Sequence, residues 1–183
     1  MTCLQSDIDA VLHWSEQWLL PLNVSKLQHL HIGWRHACPA YYCGAVLIKS
    51  VEEVTDLGVV FTNSLRFNSH ISRVCKKANS VCALLFRAFE CRDISLLSSL
   101  FVTYVRPILE CCTSVWSPRI KLQIKCVERV QRLFTKHFVR DVPYSVRLQM
   151  LGLHSLEHRR LYFDLVLLFK IVHGFSGDRK SVV

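Results

Sequence analysis

The sequence predicts an α+β fold, mainly α: a small partial antiparallel sheet with one helix, followed by a helical body. Three observations carry this. The first third holds short apolar stretches separated by Gly33, Pro39 and Gly44, the signature of brief strands and turns. Beyond the turn TNSLRFNS, apolar residues recur at steps of three and four almost to the end, which is helical spacing. At 183 residues and 51% hydrophobic composition, the chain can bury a packed core.

Taken in order, SDIDAVLHWSEQWLL places Ile8, Val11, Leu12, Trp18 and Leu19 on one helical stripe. Ser6 and Asp9 read as an imperfect capping box, and Pro21 ends the helix. LQHLHI, AVLI and DLGVVF read as strands, with EEVTD as an acidic, solvated turn. In HISRVCKKANSVCALLFRAF, Ile71, Val74, Ala78, Val81, Leu85 and Phe89 form the apolar stripe, leaving Arg73, Lys76, Lys77 and Arg87 for other faces. Asp93 is a natural N-cap for DISLLSSLFVTYVRPILECCTSVW, in which Pro107 kinks or breaks the helix. IKLQIKCVERVQRLFTKHF and SLEHRRLYFDLVLLFKIVHG complete the helices, with Gly174 where a C-terminal glycine belongs.

The net charge of +9 is unevenly placed. Residues 1–65 carry three Lys/Arg against six acids; residues 66–183 carry twenty against eight. Such asymmetry favours a polyanion partner, most simply nucleic acid, although a solvated surface has the same composition. The most informative basic feature is Lys121, Lys125, Arg129, Arg132 and Lys136, at steps of four, four, three and four, opposite Ile124, Val127, Val130, Phe134 and Phe138. A helix that tracks phosphates has this pattern, and so does a solvated face.

Catalytic constellations are sparse. Two-metal phosphoryl chemistry needs carboxylates converging on ions about 3.5 to 4 Å apart; Asp7 and Asp9, two apart on a helix, point to different faces, and Glu52, Glu53 and Asp56 belong to the acidic turn. HSLEH, His154 to His158, fits the H-x-x-E-H pattern of inverted zinc proteases, but Ser155 as an N-cap leaves His154 outside the helix that contains His158. HLHIGWRHACPAYYC offers His29, His31, His36, Cys38 and Cys43, whose C-x4-C spacing lacks a second matching pair. No metal site is therefore expected. GxSxG, P-loop and GxGxxG motifs do not occur. The nine cysteines follow no disulfide framework; Cys75 and Cys82 read as small core hydrophobes and Cys111 and Cys112 sit beside Pro107. Trp14, Trp18, Trp34 and Trp116 are core residues by default, with base stacking as the alternative. Apolar runs such as LVLLF fall far short of the roughly 18 residues of a membrane span, and MTCLQSDIDA carries acids where a leader carries bases. An intracellular chain, cytoplasmic or nuclear, is expected.

In collinear order, these segments resemble the reverse transcriptases of non-LTR retrotransposons, the LINE-like and jockey-like elements, downstream of their catalytic aspartate hairpin. LQSDIDAVLHWSEQWLLPLNVSKLQHLHIG is similar to the palm helix and the lysine-bearing motif after it. VEEVTDLGVVFTNSLRFNSHI is similar to the primer-grip strands entering the thumb, YVRPILECCTSVWSP and VERVQRLFTK to the region beyond, and LGLHSLEHRRLYFDLVLLFKIVHG to the last recognisable block. The resemblance implies a palm remnant over 1–62, thumb-like helices over 63–118 and a helical extension over 119–183. It implies a general-acid role for Lys26 toward departing pyrophosphate, primer-grip-like positions at Leu57, Gly58 and Val59, and nucleic-acid contacts from Arg73, Lys76, Lys77 and the five basic residues from Lys121 to Lys136. The Tyr-Ala-Asp-Asp hairpin and both aspartate-bearing palm motifs are missing, so Lys26 assists no chemistry here. The implied protein is a non-catalytic fragment of an RNA-directed DNA polymerase. It binds RNA and DNA backbone, and the missing polymerase half, through retained primer and template elements. It requires no cofactor of its own, magnesium belonging to the intact parent polymerase, and engages neither membrane nor small-molecule substrate. The alternative is a helical nucleic-acid-binding or protein-interaction module without enzymatic role.

Overall fold

The computed structural model describes residues 3–33, 39–89 and 93–175. Two compact units divide the chain, Met1–Phe67 and Asn68–Val183. Its class is α+β, mainly α, with small antiparallel pairings confined to the first unit.

Helix α1, Cys3–Gln17, starts before the expected capping pair, so Ser6 and Asp9 lie inside it. It also ends sooner than expected. Leu19 takes a left-handed conformation (φ 54°), and the Leu19 and Leu20 amides donate back to Glu16 and Ser15, a Schellman closure two residues ahead of Pro21. Trp18 and Leu19 therefore fall past the helix and are exposed, as is Val11; the packed side is Gln5, Ile8, Leu12 and the buried Ser15. Gln5 fixes this helix to the chain at Tyr42, its amide donating to the Tyr42 carbonyl at 2.9 Å and accepting from the Tyr42 amide at 3.0 Å, as a neighbouring strand would.

A 3-10 turn, Val24–Lys26, leads into β1, Gln28–Leu30. Strands β2, Tyr42–Cys43, and β3, Val46–Leu47, form a hairpin closed by Gly44 (φ 60°), and β4, Lys49–Val51, follows. Strand β4 pairs with β1 in parallel, Gln28 opposite Lys49 and Leu30 opposite Val51. The antiparallel pairs are β2 with β3, and β5, Glu53–Asp56, with β6, Val59–Thr62. The acidic stretch EEVTD is thus largely a strand, not a turn. The turn is Leu57–Gly58, with φ of 46° and 83°, the mirror-image geometry that matches the twist of a hairpin. Tyr41, Cys43, Val59 and Val60 form the buried centre of this unit.

In the second unit, α2, Asn68–Ala88, buries Ile71, Ala78 and Leu85 of its expected stripe together with Cys82 and His70, while Val74 and Val81 are half-buried and Phe89, past the end of the helix, is exposed. Helix α3, Ile94–Leu100, is capped by Asp93, whose carboxylate accepts from the Leu96 amide at 3.0 Å. A π-helical turn, Phe101–Val105, joins it to α4, Arg106–Glu110. Here Leu97, Phe101, Val105 and Leu109 are all buried at a strict spacing of four. On a 3.6-residue helix such a row drifts by about 40° per step; the wider π turn takes up that drift. It also delivers the chain to Pro107, whose missing N–H costs nothing at the start of α4. Helix α5, Thr113–Trp116, buries Trp116, whose indole N–H donates to the Cys111 carbonyl at 2.7 Å. Helices α6, Lys121–Lys136, α7, Tyr144–Met150, and α8, Leu156–Val172, complete the unit. Phe86, Phe101, Phe134 and Phe138 meet as an aromatic cluster with ring centroids 4.8–5.8 Å apart. Among the described residues, no helix is long and apolar enough to cross a membrane.

Candidate nucleic-acid interface

Helix α6 separates its charge from its apolar residues by angle. At about 100° per residue, Lys121, Lys125, Arg129, Arg132 and Lys136 fall within an arc of about 80°, and all five are exposed. Val127, Val130 and Phe134 face inward and are buried. The stripe is therefore a continuous cationic edge on a helix held by its opposite face. Arg132 is partly engaged, with its guanidinium 4.5 Å from the centre of the Tyr144 ring.

Beside the stripe, α2 and α6 enclose an open groove of about 430 Å³. Ile71, Leu122, Val130 and Leu133 supply its apolar lining, and Lys76 and Arg129 are its charged residues. The structure thus brings Lys76 together with the α6 stripe. Arg73 and Lys77 are also exposed on α2.

A polar latch holds α6 from behind, and the sequence reading missed it. Glu128, 6% exposed, accepts from the Tyr144 hydroxyl at the start of α7 and from the Leu156 amide, the first residue of α8, at 3.0 Å. Gln131 donates to the Tyr144 hydroxyl and to the His154 carbonyl, each at 3.0 Å. Burial, then the hydrogen bond to Glu128, raises the Tyr144 pKa and keeps the phenol a donor. The available signal was the spacing of Glu128, Gln131 and Thr135 along one edge of an otherwise amphipathic helix. A second tie joins α4 to α8: Arg159 donates to both oxygens of Glu110, once at 3.0 Å.

The other candidates scatter. Lys26 is exposed in the 3-10 turn before β1. Leu57 and Gly58 form the tip of the β5–β6 hairpin with Leu57 89% exposed, whereas Val59 is buried. Ser155 does cap α8, accepting from the His158 amide at 3.2 Å, and leaves His154 outside that helix. The two imidazoles lie 5.3 Å apart between centroids. His29 packs edge-on against Tyr41 at 4.8 Å and Cys43 is buried; Trp34, His36 and Cys38 lie outside the described residues. Among the described residues, no three His, Cys, Asp or Glu side chains gather as metal ligands. Trp116 is buried, as a core residue should be, while Trp14 and Trp18 are exposed.

No protein-family model matches the chain, and no solved structure does. The chain is similar to "Uncharacterized protein B0403.1" of Caenorhabditis elegans, 28% identical over 127 residues, which cover 67% of this chain. The match spans 64% of that protein's length.

Proposed function

We propose that this chain holds nucleic acid by its phosphate backbone, as the primer- and template-binding part of a non-LTR reverse transcriptase, and performs no nucleotidyl transfer itself. The observation that carries the reading is the exposed cationic edge of α6, continued by Lys76 of α2 across the groove. Five phosphate contacts give a log-affinity versus log-salt slope of roughly −3.5 to −4.5, at about 0.7 to 0.9 per phosphate. Base identity matters little, because phosphate contacts position a duplex without reading it. Leu57 at the exposed hairpin tip is a second contact point in this reading, and Lys26 is a general acid without a partner reaction. The setting is intracellular, cytoplasmic or nuclear, in keeping with the free thiols of the described cysteines.

The test pairs binding with extension. A labelled RNA template with a DNA primer should bind with the salt slope above and should not be extended when magnesium and nucleotides are supplied. Extension that follows the protein through purification would overturn the non-catalytic half of the reading, and salt-independent binding the other half. One observation favours a protein-interaction module instead: Leu161, Tyr162, Leu165, Leu168, Phe169 and Val172 of α8 are all exposed, and apolar residues exposed together along a helix are a feature of interaction faces.

A further inference from the structure

At the joint between α4 and α5, two cysteines face solvent side by side. The Cys111 and Cys112 sulfurs are 3.7 Å apart and both residues are exposed. Cys112 is held in the left-handed region, φ 55° and ψ 28°, a conformation that non-glycine residues rarely adopt. We propose that Cys111 and Cys112 form a vicinal dithiol site, reversibly oxidised to an intramolecular disulfide by low-molecular-weight disulfides.

The chemistry balances within the pair and its co-reactant. The Cys111 thiolate attacks one sulfur of the small disulfide, forming a mixed disulfide and expelling one small thiolate. Cys112 then gives up its proton and attacks the Cys111 sulfur, closing the Cys111–Cys112 bond and expelling the second small thiolate. Two protein thiols are oxidised, one small disulfide is reduced to two thiols, and the two protons end on those thiols. Contact with Cys111 raises the Cys112 pKa; the two thiols titrate as a pair, so the same steps run equally with their roles exchanged.

The other described thiols are poorly suited. Burial pushes Cys75 up to about 11 and Cys82 up to about 12, so little thiolate exists there, and Cys43 is buried. Cys3 and Cys126 are exposed, but the thiol that neighbours Cys126 in the groove is Cys75, whose thiolate burial suppresses. Because the Trp116 indole bonds to the Cys111 carbonyl, closing the small ring through the intervening peptide should change Trp116 emission.

The experiment treats the full chain with oxidised glutathione and maps the cysteines by mass spectrometry, then titrates the reduced chain with phenylarsine oxide, which needs two close sulfurs. Expected for the native sequence is a peptide containing Cys111 and Cys112 that has lost two hydrogens, carries no glutathione and reverts with dithiothreitol. Cys112→Ser should trap glutathione on Cys111. Arsenical affinity should fall at least about 100-fold in either Cys111→Ser or Cys112→Ser, the loss of a second intramolecular contact. A stable glutathione adduct on Cys111 or Cys112 in the native chain would overturn the proposal. So would unchanged arsenical binding in the double serine variant.

Discussion

Glu128 sits on the helix that carries the cationic stripe, yet its carboxylate works inward, accepting from Tyr144 and from the first amide of α8. Near it lies Arg160, 3% exposed, whose terminal nitrogens meet no hydrogen-bond partner among the described residues; burial lowers its pKa, and the Glu128, Glu157, Glu110 and Asp164 carboxylates oppose that. Glu128→Ala strands two buried donors at about 1–3 kcal/mol each, and a loss of about 2–6 kcal/mol should appear as a lower urea midpoint. A loss under about 1 kcal/mol would mean the latch is incidental. His70 gives a pH signature. Burial, followed by Arg73, lowers its pKa, so the folded state favours the neutral imidazole. The unfolded chain, titrating near about 6.5, then binds more protons as pH falls. Its contribution to stability is complete above about 6.5 and shrinks between there and the lowered folded value. Melting temperature measured from about pH 7.5 to about pH 5 should fall less steeply in His70→Asn than in the native chain; equal slopes would contradict the assignment.

At the scale of elements, the β5–β6 hairpin offers a clean test, because Leu57 occupies a left-handed position (φ 46°) that asparagine adopts more easily. Leu57→Asn should stabilise the hairpin by up to about 1 kcal/mol, read by slower amide exchange across Val54 and Phe61. If exchange quickens, the exposed leucine is held by contacts of its own. This hairpin also shows where the sequence stopped being legible. EEVTD looked like a turn because its acids are solvated, but an edge strand can expose charge while its backbone pairs; the deciding clue was the adjacent Leu-Gly pair, weaker than Asn-Gly. Likewise Pro107 announced an interruption, whereas the π turn preceding it was written only in the four-residue spacing from Leu97 to Leu109. Helices α2, α6 and α8 were legible because one amphipathic stripe, one serine cap and one terminal glycine sufficed. Gly174 closes α8 as expected, with φ 71° and the Phe175 amide donating to Lys170. Helix α7 was overlooked, being seven residues long and fixed by Tyr144 rather than by periodicity. The basic stripe was readable in full, but the Glu128 latch depends on residues far along the chain that no local pattern brings together.

For the molecule as a whole, the charge of +9 is the sum of +12 over residues 66–183 and −3 over residues 1–65, so attraction to a polyanion should be a property of the second unit. Two surfaces there compete for the functional reading, the cationic edge of α6 and the apolar exterior of α8. They are separable by mutation. Leu165→Glu with Leu168→Glu on α8 should leave nucleic-acid affinity within about twofold apart from the added charge, and a larger loss would place binding on the wrong helix. The central claim is tested most directly by reversing Lys125 and Arg129 together, which spares Arg132 and its contact with Tyr144. Fluorescence anisotropy of a labelled primer–template, followed against salt, should show the slope of the native chain flattened by about 1.4 to 1.8, with RNA and DNA duplexes weakened alike. Unchanged affinity and slope in a Lys125→Glu, Arg129→Glu variant that unfolds at the native urea midpoint would contradict the account.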